Sequence, residues 1–261
     1  MEQLTIGQLY PSRLRQTIRL RVARFWDCIV PGTGSFQGIA FIGTDCNGDG
    51  IHVQIPPTDA ENFRPVLVEG MVYDITGFRV GAPTANNIAA PTCYVLFLSR
   101  TTILQPTAVD IATYPRHFFD FTIENHLIYL ANRDKFLADT IGMLIQVTAV
   151  AAIHLPGGTV SRRRDFFIMT MYNRFLKITL GENTYSRLDI EALTTMNPKP
   201  VMIFAGMVVR TFNGGPYLMS CSASKIYVNL DIPEVGLVRL MYQQMEGPIE
   251  IAPRTPEIAS Q

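Results

Sequence analysis

Near the end of the chain a cation and a ring stand two residues apart beside a glycine turn: Arg210 and Phe212, followed by Asn213-Gly214-Gly215. On an extended strand residues at i and i+2 share a face. A flat ring beside a guanidinium is suited to stacking a nucleobase and holding its phosphate. The other readings are a core ring for Phe212 and a solvated surface arginine for Arg210. Phe175 and Lys177 repeat the spacing earlier in the chain, with core packing the alternative for Phe175. Arg162, Arg163 and Arg164 form a basic block, assigned to a loop flanking the same groove or to a solubilising turn. Toward the N-terminus Arg19 and Arg21 are candidates to track phosphates. Trp26, the single tryptophan, is placed where its strand runs into a loop and reads as a packing anchor ahead of a base platform. His52 reads as a satisfied strand histidine ahead of a ligand contact.

Other chemistries find less support. The four histidines form no H-E-x-x-H pair, and no G-x-S-x-G is present, so no catalytic residues are assigned and an enzyme is not expected. Asp45-Cys46-Asn47-Gly48-Asp49-Gly50 imitates the start of a calcium loop, but position twelve, where a bidentate Glu belongs, is Pro56. A hairpin turn is the better reading. Cys28, Cys46, Cys93 and Cys221 lie far apart without a C-x-x-C pair, which argues for reduced thiols and against a zinc ribbon. No metal or cofactor is expected. The formal net charge is zero, which disfavours a strong non-specific polyanion binder. The charge is uneven, however: five arginines and no acid lie between Arg13 and Arg24, and nine cations face six acids between Asp139 and Asp231. MEQLTIGQLY shows no secretory signal, no apolar run approaches membrane-helix length, and no membrane partner is expected.

The elements that would position these residues read as strands. Ile18, Leu20 and Val22 alternate with Arg19 and Arg21, which predicts a half-buried strand with a basic open face. Strands follow at Phe36–Thr44, Ile51–Ile55, Met71–Val80 and Thr92–Leu104. A short helix is expected at the Thr58-x-x-Glu61 capping box. Five strands with a helix between the third and fourth is the layout of an OB barrel. A second round begins at Asp139: a strand at Ile141–Ile153, a loop at Pro156-Gly157-Gly158, and a hairpin of Asp165–Tyr172 with Phe175–Leu180. A helical stretch over Asn183–Met196 precedes closing strands Val201–Thr211 and Tyr217–Val228. The reading is thus all-β with short helices: two tandem five-stranded OB barrels, at 1–108 and 137–246, joined by a linker at 109–136. The second barrel ends in a C-terminal helix whose apolar stripe is Val235, Leu237, Val238, Met241 and Met245. A loose tail is expected over 247–261.

Several stretches resemble a known family. VVRTFNGGPYLMSCSASKIYVNLDIPE, followed by a helix ending in MEG, is similar to the exit of the second DNA-binding barrel in the large subunit of replication protein A, in particular its plant-type relatives. HFFDF and DTIGMLIQV resemble that family's inter-barrel linker and second-barrel opening. IGQLYPS, RLRVARFWD and EGMVYDITGFRVG resemble its first barrel. The resemblance covers about residues 5–246. It implies a nuclear protein that binds single-stranded DNA across both barrels, with RNA left open, in replication, repair or recombination. Other replication protein A-type subunits are the implied partners. Phe212 falls at one of the family's base-stacking positions, and Tyr94, in the fifth strand, matches another. Leu180 or Gly181 and Pro56 occupy the other two, so binding weaker than the family's is expected. The family's zinc-bearing third barrel and N-terminal interaction domain have no counterpart here, so any trimer of the family's kind would need those parts from another protein. A protein–protein interaction module, or a degenerate paralogue with weak nucleic-acid binding, is the alternative.

Overall fold

The computed structural model describes residues 4–11, 15–84, 86–108, 111–131, 133, 135–154, 160–245 and 247–253. The chain divides into two compact units, Met1–Asp120 and Phe121–Gln261.

The first unit contains β1 (Thr17–Ile29), β2 (Phe36–Thr44), β3 (Gly50–Ile55), α1 (Ala60–Phe63), β4 (Val72–Thr76), β5 (Arg79–Gly81), β6 (Val95–Phe97) and β7 (Ile103–Pro106). β1, β2 and β3 form an antiparallel meander. β6 lies parallel to β3 and antiparallel to β5, while β4 pairs with β1. β4 and β5 are two halves of one strand, bent at Gly77 with φ 82°, a conformation open to glycine at little cost. Since β5 and β4 flank the run β6-β3-β2-β1 on its two sides, the sheet closes into a five-stranded cylinder. Ile18, Leu20, Val22, Phe41, Val53 and Tyr73 fill it. The fifth strand is far shorter than Thr92–Leu104, because the chain turns at Ser99–Thr102, where Thr102 Oγ1 receives the Ser99 amide and donates to Gly77 O. β7 then adds outside β4. The calcium-like turn is a hairpin turn closed by Asp45, whose carboxylate accepts from the amides of Ile6, Asn47 and Asp49.

The second unit contains α2 (Glu124–Leu130), β8 (Ala138–Thr148), β9 (Ala151–His154), β10 (Val160–Thr170), β11 (Phe175–Gly181), α3 (Glu182–Tyr185), α4 (Ile190–Thr195), β12 (Val201–Phe212), β13 (Gly215–Met219), β14 (Lys225–Val228), α5 (Pro233–Met241) and β15 (Glu250–Ala252). Here the cylinder closes directly: β8 pairs with β10, β10 with β11, β11 in parallel with β13, β13 with β12, and β12 with β8. Phe166, Ile168, Ile178, Leu180, Phe204 and Leu218 form its core.

Several boundaries differ from the sequence reading. Ile141–Ile153 is two strands, and β9 pairs with the start of β10. That pairing and the one with β11 put Arg162, Arg163 and Arg164 in a strand, not a loop. The loop at Pro156-Gly157-Gly158 lies outside the described residues. The stretch Asn183–Met196 is two helices, because Asp189 interrupts the run and caps α4 by accepting from the Ala192 amide at 3.0 Å. Tyr217–Val228 splits at a turn closed by Ser224 Oγ, which receives the Cys221 amide and donates to Gly206 O. On α5 only Val235 and Val238 are buried; Leu237 and Met241 point outward, since the 3.6-residue period carries them past the core face. The tail is not loose at its start: Ile249 enters the core, and β15 lies parallel to β8. Residues 254–261 lie outside the described residues.

Candidate nucleic-acid interface

β12 and β13 are joined by Asn213-Gly214, both with positive φ (49° and 79°). This is the two-residue hairpin geometry whose twist suits antiparallel strands. It fixes the register, so Phe212 faces Gly215 and Arg210 faces Tyr217. Val209 and Leu218 point into the core, which turns Arg210, Phe212 and Tyr217 to the outside. β11 continues that face: Leu176 and Ile178 are buried, whereas Phe175 and Lys177 point out. Phe167 stands opposite Lys177 on β10.

Lys177 is the centre of this face. Its Nζ lies 5.5 Å from the Phe212 ring centroid and 5.4 Å from that of Tyr217, within range for attraction between a cation and a ring face. Asp165, on the same side of β10, places Oδ2 3.4 Å from Nζ. Its Oδ1 accepts from Thr179 Oγ1 at 2.7 Å. A buried carboxylate thus sets the ammonium, and the ammonium sits between two rings. Phe212 keeps 41% of its surface exposed and Phe175 54%. Phe175 lies against Phe167 in a near-parallel stack, 5.2 Å between centroids. Arg210 Nη1 donates to its neighbour's carbonyl, Val209 O, at 3.3 Å. Chemically this is an open sheet face carrying flat rings and cations.

The arginine block divides. Arg163 alternates onto the side of Asp165 and Phe167, and its Nε donates to Ser161 Oγ. Arg162 pairs with Glu182 at 3.3 Å, and Arg164 lies over the Tyr185 ring at 5.9 Å. Those two are drawn to α3, away from the ring cluster.

The first-unit candidates are held differently. Arg19 makes a two-pronged ion pair with Asp74, at 2.7 and 2.9 Å, and the hydrogen bond to Asp74 is the main cause of its raised pKa. Arg21 is 9% exposed. It donates to the carbonyls of Gly70, Ile111 and Tyr114, and burial and then Arg116 lower its pKa. The expected basic open face of β1 is therefore covered at Arg21 by residues 111–114. Trp26 is buried in mid-strand, opposite Ala40, and not at a strand end. Its ring lies 5.6 Å from that of His52. His52 is buried, its Nδ1 accepts from the Ala89 amide at 3.2 Å, and its Nε2 has no partner among the described residues. Burial, with Arg24 nearby, pushes its pKa down to about 3. Tyr94 falls one residue before β6 and packs against the first core.

Two members of the cluster, Tyr217 and Phe167, are absent from the sequence-based candidates. A signal exists for Tyr217: a two-residue Asn-Gly turn sets it opposite Arg210. Phe167 needs the β10–β11 register, which the sequence does not state.

No protein-family model matches this chain. It is 24% identical over 250 residues to a 70 kDa DNA-binding subunit of replication protein A from Oryza sativa subsp. japonica, a match covering 92% of this chain and 25% of that protein. The chain thus spans about a quarter of the relative's length. Among solved structures it is similar to a replication protein A heterotrimer bound to ssDNA, with a TM-score of 0.58 and 24% identity over 96% of this chain and 57% of that one. Strand order, closure and these likenesses agree: the chain is an all-β, tandem OB-fold protein resembling the large subunit of replication protein A.

Proposed function

We propose that this protein binds single-stranded DNA, with the outer face of the second barrel as a contact surface. Phe212 and Tyr217 stack bases, Phe175 on Phe167 offers a second platform, and Arg210 and Arg163 meet phosphates. OB folds bind ligands on the face of their second and third strands, here β10 and β11. The observation that carries the reading is the exposed ring cluster around Lys177. The single-stranded ligand named for the solved relative supports it. By the same likeness the protein acts in the nucleus, in replication, repair or recombination, alongside replication protein A-type subunits.

Fluorescence polarisation with labelled oligo-dT of about 20–30 nucleotides, longer than one OB-fold site, tests this. Saturable binding that weakens with salt is expected, with duplex DNA of equal length binding less. Absence of binding at low salt refutes it. The zero net charge favours a second reading, in which the same face takes a protein partner. A pull-down that retains one stoichiometric partner, from a protein that ignores oligonucleotides, would establish that instead.

A further inference from the structure

The outward faces of the two barrels differ in what lies on them. In the second unit, strands four and five are joined by the short Asn213-Gly214 turn, and among the described residues the outer face keeps Phe175 and Phe212 exposed, though Asp165 and Thr179 on it are buried. In the first unit the corresponding connection is long, residues 82–94, between β5 and β6. Ile88, Ala89 and Ala90 of that loop are all buried. The Ala89 amide donates to His52, which projects outward from β3. His52, Ile42, Ala40 and Trp26 lie on the outer face of β1–β3, and all four are buried although none belongs to the barrel core; Gln54, opposite Ala40, is half-buried. A second segment extends the roof. Thr44 Oγ1 donates to Pro115 O at 2.7 Å, and the Phe118 ring lies so close to Gly50 that a Cβ there would come within 2.5 Å of it. Opening this roof would return Trp26 and Ile42 to water, an unfavourable exposure of apolar surface.

Three of the first unit's arginines are likewise occupied within the protein: Arg19 by Asp74, Arg21 by three backbone carbonyls, and Arg24, buried 5.6 Å from the Trp26 ring centroid. We infer that the second unit alone holds the single strand, and that the first unit's OB face is permanently occupied by its own chain. This rests on the proposed single-strand binding and narrows it from two barrels to one. The bound length is then that of one OB site, about 4–16 nucleotides, not the sum of two.

Hydrogen exchange of the full chain, with and without saturating (dT)30, tests the inference. Slowed exchange confined to residues 160–181 and 207–219 is the expected result. Slowed exchange also over 36–55 or 86–94 overturns it. Absence of binding or of protection anywhere overturns the single-strand reading itself, a distinct outcome. A length series gives a second readout. Once the number of binding registers is allowed for, (dT)16 and (dT)30 should bind within about threefold of each other, as one site requires. A gain of tenfold or more for the longer strand would show that the first unit takes part.

Discussion

Removing the two rings that flank Lys177 should weaken single-strand binding without unfolding the protein. Base–aromatic stacking is worth about 1–3 kcal/mol per base by alanine substitution, so Phe212→Ala and Tyr217→Ala should each raise Kd by about 5- to 150-fold. Both rings lie within 5.5 Å of one ammonium and therefore border one site. Their effects should not add: the double variant should fall short of the summed losses by more than about 0.5 kcal/mol, the usual bound for independent sites. Phe212 sits at a hairpin end with 41% of its surface exposed, so its loss should cost stability only about 0.5 kcal/mol. Polarisation titrations with labelled (dT)16 at low salt, paired with urea melts, make the measurement. Single variants that bind within twofold of the parent while remaining folded would refute the stacking role. Strict additivity would mean that the rings serve separate bases.

Lys177→Met should lower stability by about 1–3 kcal/mol, since it takes an ammonium from a carboxylate whose side chain is 3% exposed, and Asp165→Asn in the same chain should recover most of the loss in urea melts. Arg21→Met should destabilise the first unit by a similar amount, about 1–3 kcal/mol, by leaving the buried Tyr114 carbonyl and two partly buried ones without their donor, yet leave oligo-dT affinity within twofold. His52 has an acid-side dependence: its folded pKa of about 3 lies below the ordinary 6.5, so below pH 6.5 the unfolded chain takes up a proton that the folded one does not. Stability should fall as pH drops from 6.5 toward 3, by about 2 kcal/mol at pH 5. His52→Gln should flatten that part of a thermal-melt pH profile.

Phe212 and Arg210 are legible in the sequence because a glycine turn and a two-residue spacing both act locally. The same local rule extends to Tyr217, but reading Tyr217–Val228 as one uninterrupted strand hides the hairpin's register. Both barrels can be read from alternation in segments such as Ile18–Val22, where core and outer residues differ in polarity. Alternation does not show what covers an outer face. Arg19 and Arg21 look solvent-facing in sequence, yet Asp74 and the carbonyls of residues 111–114 reach them across more than fifty residues of chain. The one local hint of a roof is the apolar Ile88-Ala89-Ala90 inside a loop, where polar residues are the rule. The arginine block is misplaced by sequence alone for a related reason: its strand is made by partners that lie elsewhere in the chain, β9 for Arg162 and Arg163 and β11 for Arg163 and Arg164.

Photocrosslinking of the full chain to (dT)16 carrying 5-iododeoxyuridine, with the adducts mapped by mass spectrometry, shows directly whether the strand lies on the outer face of the second barrel. Adducts are expected on Phe212, Tyr217 or Phe175, competed away by unlabelled single strand. A bound strand whose adducts fall only on residues outside β10–β13 would contradict that placement.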